Sequence, residues 1–324
     1  MGKGMEKVPQ DSVIRTQEGS LEERMTAILG ERYRVYRDAW RAASPGSIPH
    51  SPLHVDLELV DACNSACTFC PRNKKPHPNL PYAINTKQSL PDTLVEKFLR
   101  EAKESALYSI NIAIGEPLLD SRCLEIVKEF HANGGVDSRV NTNGVLLDTV
   151  IDQVFDSGLV NLFVSLDAFS DETYQLLRGG IGRYQKVFDN ILLMLAEKQR
   201  RKSLLPVMRV SFIETDINRH EIDGFLDFWR DKVEIVDIHR FLRFDNMTGG
   251  KKEKKWHCID PFRRLCIMAN GDILPCCTFY GKMMSLGNFA NMSLAEAWNG
   301  QKLVTVREEL LRDKNKICLA CQEC

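Results

Sequence analysis

The 324-residue chain has no apolar run approaching the roughly 18 residues that span a bilayer. It also lacks an excess of charge of either sign: Lys+Arg 43 against Asp+Glu 44 leaves a formal net charge of -1. That balance offers no electrostatic footprint for nucleic acid or an anionic membrane surface. No apolar h-region interrupts the polar residues from Met1 to Gly19, so a secretory signal is not expected and the cytoplasm is the expected compartment. Hydrophobic content of 44% and charged content of 27% are those of an ordinary globular chain.

Cysteine is what the sequence has in abundance, and the 11 residues are grouped. Cys63, Cys67 and Cys70 lie within eight positions, and seven more fall in the last 67 residues; only Cys123 stands alone. An odd count in a chain without an export signal argues against a disulfide framework and for metal or iron–sulfur ligation. Cys123, inside a helical stretch, reads as a small buried hydrophobe.

Residues 1–50 read as a polar lead-in with one helix, Leu21 to Ala43, ending at Ser44-Pro45-Gly46. From His54, β-branched runs alternate with amphipathic stretches. Strands are expected at His54–Val60, Tyr108–Ala113, Val136–Asn141, Val160–Leu166, Val207–Ile213 and Glu234–Phe241. Helices are expected near Pro91–Ser105, Ser121–Asn133, Asp148–Ser157, Tyr184–Arg200 and Arg219–Arg230. Six alternations predict an α/β fold with a parallel sheet, too few for an eight-fold barrel and suited to a partial (β/α)6 TIM-like barrel over 51–247. Gly249-Gly250 and the Lys/Glu run after it read as a solvated linker opening a small α+β tail, 248–324. There Ala269-Asn270-Gly271 predicts a hairpin, Ser293-Leu294-Ala295-Glu296 a capping box, and Gln301–Arg312 a helix. Seven cysteines and few apolar residues predict that metal helps to hold this tail.

The early cysteines form a Cx3Cx2C run directly after the first strand, where α/β folds place their active sites. Three thiols on a four-iron cluster leave one iron without a protein ligand, the open position of catalytic metal centres. A zinc site is the alternative and needs a fourth ligand, with His54 and His77 the nearby candidates.

Cx3Cx2C with Phe69 before the last cysteine resembles the radical S-adenosylmethionine enzymes, from about His54 to the C-terminus. Ile114-Gly115-Glu116-Pro117 is similar to the family's Gly-Gly-Glu segment, which contacts the methionine amino group, with Ile114 in place of the first glycine. Asn141-Thr142-Asn143-Gly144 ends the third strand as in the family. Ser165-Leu166-Asp167 matches positions that meet the ribose and the methionine carboxylate, and Arg178 matches a recurrent arginine. Asn218 and Glu221 resemble its Asn-x-x-Glu. The resemblance implies a [4Fe–4S] cluster on Cys63, Cys67 and Cys70, with S-adenosylmethionine chelating its open iron. It further implies reductive cleavage to a 5′-deoxyadenosyl radical, fed by a flavodoxin- or ferredoxin-type donor.

Cys258, Cys276 and the Cys318-Leu319-Ala320-Cys321 pair read as a closed second site, with structural zinc as the alternative. The tail resembles SPASM/Twitch extensions, which implies one auxiliary [4Fe–4S] cluster of the Twitch kind. Cys277 could replace Cys276, and Cys266 and Cys324 are unassigned. A fully ligated cluster suits electron transfer, so the expected reaction is net oxidation of a small hydroxylated substrate, sugar or aminocyclitol-like. The alternatives are epimerisation or deoxygenation of a sugar, with Cys266 or Cys277 as thiol hydrogen donor, and maturation of a ribosomal peptide. A zinc-stabilised binding module is the non-enzymatic alternative.

Overall fold

The computed structural model describes residues 13–15, 21–73, 75, 87–180, 183–241, 258–277 and 284–312. Among the described residues all ten strands belong to one sheet. A short strand β1 (Val13–Arg15) precedes helices α1 (Leu21–Leu29) and α2 (Glu31–Ala42). Six strands then follow, each beside its predecessor: β2 (His54–Leu57), β3 (Ser109–Ile112), β4 (Asp137–Thr142), β5 (Asn161–Ser165), β6 (Val207–Glu214) and β7 (Ile235–Arg240). All five neighbouring pairs are parallel. The crossovers carry α3 (Asp92–Glu104), α4 (Cys123–Ala132), α5 (Ile151–Asp156), α6 (Asp171–Leu177) with α7 (Tyr184–Arg200), and α8 (Ile222–Trp229). This is the partial TIM-like barrel expected from the alternation. Cys123 opens α4 inside the core, 1% exposed.

The two-residue pleat divides each strand between two environments. Val55, Ile110, Val140, Leu162, Val210 and Val236 share one hydrophobic core with Phe98, Val127, Ile191 and Phe225 of the helices. The alternate positions, among them His54, Asp56, Asn111, Arg139, Arg209 and Asp237, therefore face the concave side. Parallel strands covered on both faces usually read as continuous apolar runs; the residues on this face instead make a polar interior.

Two elements differ from expectation. The N-terminal helix is broken at Gly30, whose φ of 81° lies in the left-handed region that favours glycine. The two resulting helices bury Met25, Tyr33 and Tyr36 against Leu53, Val160, Val207 and Ile235, at the N-terminal ends of the strands. Tyr36 stacks on Tyr108 at 5.7 Å, and Trp40 meets His54 edge-on at 5.9 Å. The lead-in thus plugs the lower end of the barrel. The other difference is α6, a helix not foreseen, opened by Ser170, whose side chain accepts from the Thr173 amide.

The tail continues the sheet. Strand β8 (Arg264–Ile267) lies parallel to β2, pairing His54 with Arg264 and Asp56 with Cys266. The hairpin turns at Gly271, φ 83°, into β9 (Asp272–Leu274), and β10 (Gly287–Asn288) follows. Ser293 and Glu296 form the capping box of α9 (Leu294–Asn299), and α10 (Gln301–Arg312) completes the described tail. Trp298 is fully buried and donates its indole N–H to the Pro49 carbonyl at 2.9 Å, tying tail to lead-in. Gly249, Gly250, His77, Cys318, Cys321 and Cys324 lie outside the described residues.

Candidate active site

The cysteine loop leaves β2 and lies across the upper rim of the barrel. It is pinned by backbone: the Ala66 amide donates to the Arg178 carbonyl at 2.9 Å, and the Thr68 amide to that of Leu177 at 2.8 Å. Both acceptors belong to the last turn of α6 and its cap, where carbonyls lack helical partners. Gly180, at φ 77°, allows this approach; a Cβ there would sit 2.6 Å from the Asn64 carbonyl oxygen. The segment after β3 presses on the other side. A Cβ on Gly115 would lie 2.4 Å from the Val60 carbonyl and 2.6 Å from that of Ala62, both backbone. Gly115→Ala is therefore expected to displace the loop at a cost of about 1–3 kcal/mol, read as a lower melting temperature with reduced iron content after reconstitution. An unchanged iron content would show that the close approach is dispensable.

Desolvation raises all three thiols, that of Cys67 to about 12, even though Cys63 reaches the surface; Arg178 opposes the shift, while charge on neighbouring thiols adds to it at Cys67 and Cys70 and that of Glu116 adds to it at Cys63. The three cysteines are thus within electrostatic reach of one another in a site that disfavours free thiolates. Metal ligation requires the thiolate, and a cation supplies the missing compensation. Among the described residues no group of three or more His, Cys, Asp or Glu side chains is placed to hold a metal ion. Donors to sulfur are in place: the Ser65 amide is 3.4 Å and the Asn143 side-chain nitrogen 3.8 Å from Cys63 Sγ. Such bonds stabilise cluster thiolates and tune their potential. Asn64 Nδ2, Ser65 Oγ and Asn141 Oδ1 are buried without partners. Unsatisfied buried polar atoms are costly, and three around one loop fit a site completed by a polar cofactor.

The rim residues divide into those that face this space and those that brace it. Glu116, 1% exposed, accepts from Thr142 Oγ1 at 2.7 Å, the Asn143 amide at 2.7 Å and the Leu118 amide at 3.2 Å. Burial raises its carboxyl, and those donors pull it down. The carboxylate thus locks the end of β3 to the end of β4, while Pro117 opens the short turn that it caps. Ile114 holds φ at 78°, a strained conformation for a β-branched residue. Its side chain packs against Cys266, Met268 and Leu274 of the tail hairpin, which compensates the strain. Asn143 reaches Asn64 Oδ1 at 2.5 Å as well as Cys63.

Asp167 ends the strand segment after β5 at φ 58°, fully buried and ion-paired with Arg178. Burial lowers Arg178, but the charges of Cys67 and Asp167 overcome this and hold it above its ordinary value. Asn218 donates to the Asp167 carbonyl at 2.9 Å and to that of Ile213 at 2.8 Å. Glu221 accepts from the Phe169 amide at 2.6 Å and is bonded to Ser170. Asn218 and Glu221 therefore set the shape of the turn. Ser165, half-buried, ends β5 opposite Ser211. Cys63, Cys67, Asn143, Asp167 and Arg178 are brought together; Asn218 acts from behind.

Two residues that motif reading missed are Arg72 and Glu58. Arg72, directly after Cys70-Pro71, forms buried ion pairs with Glu58 and Asp61. Glu58 also accepts from the Ala269 amide at 3.0 Å, so this cluster joins the cysteine loop to the tail hairpin. The one signal in the sequence was an arginine abutting a cysteine ligand run.

In the tail, Cys276 is buried after β9, Cys277 is half-buried beside it, and Cys258 is half-buried before the Asp260–Phe262 turn. Cys266 is 0% exposed among Met268, Leu274 and Ile114. Cys277 Sγ lies 3.8 Å from Arg264 Nη1, and the same nitrogen is 3.3 Å from Asp56 on the concave face. Both thiols lie beside the interior network, Cys277 next to Arg264 and Cys266 in register with Asp56 beneath Met268, Leu274 and Ile114.

Comparison with known proteins agrees with this geometry. Residues 57–222 match the Radical SAM superfamily model, and residues 258–324 match the SPASM model, an iron–sulfur cluster-binding domain. The GTP 3′,8-cyclase of Lactiplantibacillus plantarum is 29% identical over 205 residues, 63% of this chain and 57% of that one. The probable GTP 3′,8-cyclase of Methanothermobacter marburgensis is 25% identical over 202 residues, 62% and 61% of the two chains. The chain thus spans about three fifths of the length of these relatives. Among solved structures, Streptococcus suis SuiB bound to S-adenosylmethionine superimposes with a TM-score of 0.60 at 15% identity, covering 90% of this chain and 76% of that one. Native anSMEcpe with bound AdoMet gives 0.62 at 13% identity, covering 84% and 88%. A partial barrel with a three-cysteine loop on its rim, continued by an iron–sulfur tail, places the chain in the radical SAM superfamily as a SPASM-bearing radical SAM enzyme.

Proposed function

We infer that the enzyme abstracts hydrogen from a C–H bond of a small hydroxylated substrate held in the barrel and completes a net dehydrogenation. The observation that carries this reading is the concave face. His54, Asp56, Ser109, Asn111 and Asp137 form a continuous hydrogen-bonded network there, through His54 to Ser109 at 2.8 Å, His54 to Asp56 at 3.4 Å, Ser109 to Asp137 at 3.0 Å and Asn111 to Asp56 at 2.8 Å. The network leaves Asn111 Oδ1 buried without a donor, which a ligand rich in hydroxyl groups would supply.

Cys63, Cys67 and Cys70 would hold the [4Fe–4S] cluster. Gly115, Glu116, Pro117, Asn141, Asn143, Ser165, Asp167, Arg178 and Asn218 would shape the S-adenosylmethionine site. Cys258, Cys276, Cys318 and Cys321 would hold one auxiliary [4Fe–4S] cluster in the tail. When bound, these groups supply a 5′-deoxyadenosyl radical and an acceptor for the second electron. The protein's share is to orient and to exclude water. Segment 51–247 forms the barrel of this reading and 248–324 the electron-transfer tail, and the donor is of flavodoxin or ferredoxin type in the cytoplasm. No helix among the described residues is long and apolar enough to cross a membrane.

The test is an anaerobic assay with C–H-deuterated sugars and cyclitols. Deuterium is expected in 5′-deoxyadenosine, with a product lacking the elements of one hydrogen molecule. The second reading is epimerisation, favoured by the Cys277 thiol next to Arg264. It predicts a product of unchanged mass carrying solvent hydrogen at the inverted carbon, and that result would replace dehydrogenation.

A further inference from the structure

We propose that Arg139 binds an anionic group of the substrate, so that the molecule turned over carries a carboxylate or a phosphate beside its hydroxyls. This deepens, and rests on, the reading of the barrel interior as the substrate site.

Arg139 sits in the middle of β4, with Asn111 of β3 and Asn161 of β5 as its neighbours in register. The next residue, Val140, packs with the helices, so Arg139 faces the interior, where it is half-buried. The other arginines on this face are paired: Arg209 with Asp237, and Arg264 with Asp56. Among the described residues Arg139 has no ion-pair or hydrogen-bond partner. The acid nearest along its own strand, Asp137, already accepts from Ser109 Oγ at 3.0 Å and Asn161 Nδ2 at 2.8 Å.

A partly desolvated guanidinium without a counter-ion is an incomplete structure. Its fork of donors matches carboxylate and phosphate oxygens bidentately. The atoms around it complete the picture. Asn111 Oδ1, on the adjacent strand, is a buried acceptor without a donor. That acceptor calls for a hydroxyl donor, and the cation in register with it calls for an anion. A neutral or ammonium-bearing cyclitol satisfies the acceptor and leaves the arginine unmatched. A sugar acid or a sugar phosphate satisfies both.

The test is anaerobic titration calorimetry on the full, iron-reconstituted chain with glucose 6-phosphate, glucuronate and glucose as probes. One anionic probe is expected to bind at least about ten-fold tighter than glucose. The tighter of the two identifies phosphate or carboxylate as the group. Arg139→Gln is expected to abolish that margin with iron content retained, and Arg139→Lys, a point charge without the fork, to keep part of it. If the Gln variant does not hold iron, the Lys variant alone decides, and an undiminished margin there overturns the proposal. Equal affinity for the three probes, no binding of either anion, or a margin that survives Arg139→Gln also overturns it. The titration needs no turnover, so failure to form 5′-deoxyadenosine contradicts the reaction separately.

Discussion

A chain carrying Cys67→Ala is expected to form no 5′-deoxyadenosine and to retain about four rather than about eight irons after reconstitution. Cys67 is the most confined of the three cysteines: it is 9% exposed, beside Arg178, and its neighbours Ala66 and Thr68 are fixed to the end of α6. A methyl group offers iron nothing. Cys63→Ala and Cys70→Ala are expected to behave alike, because two thiols do not retain a cube. The residual iron would report the tail site. Iron analysis with product chromatography reads both effects. Continued formation of 5′-deoxyadenosine would remove the cysteine loop from the chemistry.

Breaking the Asp167–Arg178 pair is expected to be the most destabilising single change in the barrel. Both side chains are buried, and Asp167 Oδ1 also accepts from the Ile213 amide at 2.8 Å. Arg178→Met leaves a carboxylate without its cation inside the protein, a loss of about 3–5 kcal/mol. The loss concentrates at the site, since the Arg178 carbonyl carries the Ala66 amide of the cysteine loop. Adding Asp167→Asn removes the stranded charge, so the double variant is expected to melt above Arg178→Met alone. Thermal unfolding of the three proteins by circular dichroism checks the order. A double variant no better than the single one would show that the pair is not an isolated charge unit.

The barrel was legible because its strands alternate in chemistry. Val55, Ile110 and Val140 against Asp56, Asn111 and Arg139 is a period of two that survives in a parallel sheet only when one face is polar. Tyr184–Arg200 was legible because 17 residues carry a sustained helical stripe. Helix α6 was not, since seven residues hold too little of that period, and only its Ser170 cap announces it. The break at Gly30 was hidden because Leu29 and Glu31 are ordinary helix residues on either side.

At the site, the three-cysteine loop was legible because its spacing is local. The role of Glu116 was not local. A carboxylate at a strand end reads as aimed at a ligand, and here its acceptor capacity is spent on Thr142, Asn143 and Leu118. Arg72 was missed for the same reason: its meaning lies in Glu58 and Asp61, brought to it by the folded loop.

The account depends on Cys63, Cys67 and Cys70 leaving one iron open to S-adenosylmethionine. Electron paramagnetic resonance of the reduced cluster, in a chain with the tail cysteines Cys258 and Cys276 replaced so that one signal remains, tests this most directly. Addition of S-adenosylmethionine is expected to shift that signal, with hyperfine coupling from a methionine nitrogen labelled with ¹⁵N. A signal unmoved by the nucleotide, without such coupling, would contradict it.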